Sequence, residues 1–60
     1  MFAVKIDTKK KDRPKVENGC LWVKSAEHPY YVTRLERGIF KTREEAARAK
    51  TEDWEVIVDV

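Results

Sequence analysis

The chain has 60 residues and a mass of 7.1 kDa, with 42% hydrophobic and 40% charged side chains and a formal net charge of +2. That length holds one domain, residues 1–60, with a small core and marginal stability. The near-neutral sum excludes a strongly basic DNA-coating protein and a polyanionic mimic.

Phe2, Val4 and Ile6 alternate with Ala3, Lys5 and Asp7, the period of a strand with one buried face. Residues 8–15 contain no apolar side chain and include Pro14, so they read as an exposed loop. Asn18-Gly19 is a turn signal, because both residues tolerate positive φ. Cys20–Lys24 is rich in aromatic and β-branched character and reads as a second strand. Ser25–Pro29 is a polar break, and Tyr30–Leu35 reads as a third strand joined to the second by a hairpin. Arg37-Gly38 marks a turn before Ile39 and Phe40 re-enter the core.

The helix signal is the sharpest. Thr42-Arg43-Glu44-Glu45 is a capping box, in which the Thr42 hydroxyl accepts from the Glu45 amide and the Glu45 carboxylate reaches back to the Thr42 amide. Glu44 and Glu45 sit at the positive end of the helix dipole, and Arg48 and Lys50 near its negative end. Ala46 and Ala49 form the buried face, with Ala47 alongside and Phe40, Trp54 and Leu35 as the larger partners. Glu52-Asp53 ends the helix. Trp54, Val56, Val58 and Val60 then alternate with Glu55, Ile57 and Asp59 as a final strand. The order β-β-β-α-β predicts an α+β domain: a mostly antiparallel sheet of about four strands with one helix on one face.

A single helix covers one face, so the other is expected to be wet. If Leu21 and Val23 point inward, then Cys20, Trp22, Lys24, Ala3 and Ile57 point outward, an assignment that one residue of register reverses. The first and last strands are the expected sheet edges. An open edge accepts a partner's strand through main-chain hydrogen bonds.

The chemistry is sparse. Cys20 is the one cysteine and His28 the one histidine, too few for a disulfide or a structural zinc site. They lack a third orienting group, so no catalytic residue is assigned and no enzyme is expected. No metal or cofactor is expected either, since the glutamate pairs read as helix-terminus charges. An unpaired thiol without a signal segment reads as cytoplasmic. No run approaches the ~20 apolar residues of a membrane span, so no membrane partner is expected. Charge is unevenly placed: residues 5–15 hold six basic and two acidic side chains, while residues 51–60 hold four acidic and none basic. The candidate binding residues are therefore the loop cations Lys9, Lys10, Lys11, Arg13 and Lys15. To these are added Lys24, Arg34 and Arg37, and the outward apolar anchors Trp22 and Ile57.

Tyr30-Tyr31-Val32-Thr33-Arg34, then Phe40-Lys-Thr-Arg-Glu-Glu-Ala-Ala, then Trp54-Glu-Val-Ile-Val-Asp-Val resembles small bacteriophage and prophage accessory proteins of unknown function. The segment Trp22–Val32, with the helix and last strand, is similar to the small phage inhibitors of bacterial RNA polymerase. Gly38-Ile-Phe-Lys-Thr-Arg-Glu-Glu-Ala46 resembles the helix signature of AP2-type and integrase arm-binding domains, which set a sheet into a DNA groove. The acidic strand after the helix departs from that last family. The first two resemblances imply a protein that binds and inhibits a host protein in the bacterial cytoplasm. The third implies a DNA-binding module that uses the sheet and the basic loop. A homodimer through the sheet edges is a further option.

Overall fold

The computed structural model describes residues 1–14, 23–27 and 30–60. Its strands are β1 (Phe2–Ile6), β2 (Val23–Lys24), β3 (Tyr31–Val32) and β4 (Glu55–Asp59). A 3-10 turn, η1 (Leu35–Gly38), and one helix, α1 (Arg43–Ala49), lie between β3 and β4. The strands form one antiparallel sheet in the order β3-β2-β1-β4, so the β-β-β-α-β expectation holds. The basic loop thus joins two adjacent strands. The β2–β3 hairpin is closed by the Ser25 amide donating to the Tyr30 carbonyl at 2.8 Å.

One expectation about the edges fails. The first strand lies inside the sheet, paired with β4 on one side and with β2 on the other. The reason is visible in β1 itself, where Ala3 and Val4 point to opposite faces and both are fully buried. A strand with two buried faces belongs in the middle of a sheet. Phe2 also exchanges main-chain bonds of 2.8 and 2.7 Å with Phe40, which extends the cover on the β2 side.

The second face is not left wet. Val4, Phe40 and Ala46 form a core cluster under α1, joined by Phe2, Ala49 and Ile57. On the opposite face Ala3, Val23 and Val32 form another, joined by Leu35 and Val58. Leu35 therefore leaves the predicted third strand and caps the far face from η1. Gly38 makes this approach feasible. A Cβ there would sit 2.6 Å from the Lys24 carbonyl oxygen and 2.8 Å from Val23 Cγ2. The Arg37 carbonyl accepts from the Ala26 amide at 2.9 Å, which ties η1 to the hairpin.

The helix starts where the sequence places it. Thr42 is extended, and its hydroxyl accepts from the Glu45 amide at 3.2 Å. The return arm of the box differs: the Glu45 carboxylate accepts from the Lys41 amide at 3.3 Å, one residue before the expected Thr42. Ala46 is fully buried and Ala49 partly so, whereas Ala47 is exposed. The Arg43 guanidinium lies 4.9 Å from the centre of the Phe2 ring, a cation–π contact at the helix start.

Candidate binding surface at the β4 edge

The main-chain bonding of β4 determines what it presents. The Asp7 amide donates to the Trp54 carbonyl at 2.7 Å, and the Val60 amide donates to the Met1 carbonyl at 2.9 Å. In an antiparallel ladder, bonded and non-bonded pairs alternate. With the register Phe2–Asp59 through Ile6–Glu55, Val56 and Val58 then bond to β1. Glu55, Ile57 and Asp59 turn their main-chain groups outward. Phe2 confirms the phase, since it bonds to Phe40 rather than to Asp59. The Glu55 amide donates to the Glu52 carbonyl at 3.2 Å. The outward N–H and C=O groups of Ile57 and Asp59 have no partner among the described residues. β4 contains no proline, no lysine and no bulge, three of the devices that block an edge, although it is short and carries the inward-pointing Glu55.

A buried polar cluster anchors the start of this edge strand. Glu55 is 3% exposed, yet its carboxylate is saturated. One oxygen accepts from the Thr51 and Glu52 amides at 2.8 and 2.9 Å. The other accepts from the Tyr31 hydroxyl at 2.7 Å and lies 3.1 Å from Lys24 Nζ. Lys24 also donates to the Thr51 hydroxyl at 2.8 Å, and Trp54 Nε1 donates to the Tyr31 hydroxyl at 2.7 Å. Burial by itself raises the Glu55 carboxyl. The donors from Tyr31, Glu52, Thr51 and Lys24 outweigh it and hold the group below the usual range. The same burial, with the Glu55 carboxylate as acceptor, pushes Tyr31 up to about 12.

The candidate residues fall into four groups. Lys24 is not an outward cation: it is 8% exposed, bonded to Thr51 and neutralised by Glu55. Ile57 is not an outward anchor: its side chain packs with Val4, Phe40 and Ala46. The parity expectation had chosen the wrong face for both, because apolar residues line both faces of this sheet. Ala3 is likewise buried rather than wet. Lys9, Lys10 and Lys11 are exposed, while Arg13 is half-buried and folds back, its guanidinium donating to the Thr8 carbonyl at 3.2 Å. Lys15, Trp22, Cys20, Leu21, Asn18-Gly19 and His28 lie outside the described residues.

Arg34 and Arg37 are exposed and line an open hollow of about 330 Å³ beside β3. A second hollow, about 310 Å³, lies between the end of α1 and the 24–27 turn, with Phe40 and Ala49 against Lys24 and Arg48. Both hollows are open surface features rather than enclosed pockets. The root of the basic loop is tied to the start of β4 by main chain. Asp7, at the root of the basic loop, bonds to Trp54 beside the acidic Glu52-Asp53 turn. Sequence reasoning missed the Lys24–Glu55–Tyr31 cluster, whose signal was a glutamate on an apolar β-alternation.

No family model, curated protein or solved structure matches the chain. Among the described residues no helix is long and apolar enough to cross a membrane. Nor do they contain a group of three or more His, Cys, Asp or Glu placed to hold a metal ion.

Proposed function

We propose that this is a small non-enzymatic accessory protein, of the phage type its sequence resembles, that binds and modulates a host bacterial protein. Binding occurs by strand addition at the outer edge of β4. The observation that carries this reading is the outward main-chain groups of Ile57 and Asp59 on an edge strand without proline, lysine or bulge. Each face of the sheet carries a packed apolar cluster, so the edge is favoured over a face. The DNA-binding alternative, with the sheet in a groove, is weakened because Lys24 is buried and paired with Glu55, and η1 packs over β1–β3 on the far face.

Affinity capture from bacterial lysate and titration of duplex DNA test the two readings together. The protein reading expects a retained bacterial protein and weak, strongly salt-dependent DNA binding. Sub-micromolar binding to duplex DNA near physiological salt, with no protein retained, would overturn it.

A further inference from the structure

The sequence of β4 carries more than an open edge. Glu55-Val56-Ile57-Val58-Asp59 reads nearly alike in both directions: acid, valine, isoleucine, valine, acid. Antiparallel pairing with a second copy about Ile57 therefore sets like against like. The outward N–H and carbonyl of Ile57 meet the same groups of the second copy, and the Asp59 amide meets the outward Glu55 carbonyl. The ladder phase that leaves these groups without partners thus pairs the Ile57 groups and the Asp59 amide, while the Asp59 carbonyl stays with solvent because the Glu55 amide already donates to Glu52. On the η1 side, Val56 meets Val58 of the second copy, and both are half-buried in the single chain.

Two acidic segments come together in this register, which weakens the pair, but at the paired positions the repulsion is partly offset. Asp59 comes opposite Glu55 of the second copy, but that carboxylate is buried and held by Lys24. Asp59 itself has the Met1 ammonium 3.8 Å away. A two-fold pairing of one edge with itself closes, so it gives a dimer and not a fibre. Its size sets its strength. Five residues at ~3.4 Å each span about 17 Å, and such a strip falls below the ~1,200 Å² of a stable specific interface. The pair is weak enough for a longer partner strand to displace.

We propose that β4 pairs with β4 of a second copy in a weak two-fold dimer, which masks the binding edge until a partner strand displaces it. This rests on the edge reading above and adds self-masking to it.

Sedimentation velocity from about 10 μM to about 1 mM brackets the affinities expected of so small an interface. The wild type should pass from monomer to dimer across this range. Asp59→Pro removes an outward amide and should weaken the dimer roughly tenfold or more. On the unmodified protein, the Ile57 and Asp59 amide resonances should move with concentration. A monomer throughout the range, or a dimer that Asp59→Pro leaves intact, would overturn the proposal. A monomeric wild type whose captured partner is still lost on Asp59→Pro would remove the dimer and leave the edge reading standing. Ile57 and Asp59 amides that respond to neither concentration nor partner would remove both.

Discussion

Glu55→Gln is the most informative single change in the core. It keeps the size of the side chain and the acceptor that the Thr51 and Glu52 amides use at 2.8 and 2.9 Å. It removes the charge opposite Lys24 and places an amide N–H₂ against the Tyr31 hydroxyl and the Lys24 ammonium. Lys24 is then left 8% exposed with neutral acceptors alone, the Thr51 hydroxyl at 2.8 Å and the retained side-chain oxygen at 3.4 Å. Removing one member of a buried ion pair costs about 3–5 kcal/mol. The whole domain, at 60 residues, holds only about 3–9 kcal/mol. Glu55→Gln should therefore lower the urea midpoint severely or unfold the chain, as read by circular dichroism. Lys24→Met should cost less, because the Glu55 carboxylate keeps its two amide donors and Tyr31. Combining Lys24→Met with Glu55→Met should recover part of the loss, since an apolar pair leaves no buried charge unpaired. A Glu55→Gln variant within about 1 kcal/mol of the wild type would refute the assignment of Glu55 as the anchor of β4.

Because Glu55 is held below its unfolded range, its contribution is present above about pH 4.3 and is lost as pH falls through the lower folded value. Thermal melts should drop in acid, and Lys24→Met should blunt that drop. Tyr31 is raised to about 12, so its contribution holds below about pH 10 and is lost between there and about 12. The tyrosinate absorbance that Tyr31→Phe removes should appear only in that window. Gly38→Ala drives a Cβ to 2.6 Å from a main-chain oxygen that cannot swing aside, so it should destabilise by about 1–3 kcal/mol in denaturant titration. Thr42→Ala should cost about 1 kcal/mol through the lost bond to the Glu45 amide.

Local signals made much of the fold legible. The capping box put the helix start at Thr42, and the β-β-β-α-β order followed from periodicity and turn residues. The wrong inferences were those that needed two elements at once. Parity along β1 and β4 is real, but it does not say which face the helix takes. It says even less about a 3-10 turn covering the other face. Leu35 looked like the end of a strand because nothing local shows that Gly38 lets η1 close on Val23 and the Lys24 carbonyl. Lys24 looked like a surface cation because its partner, Glu55, is 31 residues away in sequence. The β4 edge was legible as a short terminal strand without proline. Which of its main-chain groups face outward depended on the register with β1.

Asp59→Pro gives the most direct test of the central claim, that β4 receives a partner strand. The change removes an outward amide, leaves the ladder to β1 intact, and costs only an exposed ion pair that contributes little. Wild type and Asp59→Pro, both verified as folded, are used as paired baits in bacterial lysate, and the retained proteins are quantified side by side. A bacterial protein should be held by the wild type and lost by Asp59→Pro. Equal retention of that protein by both baits would contradict the claim.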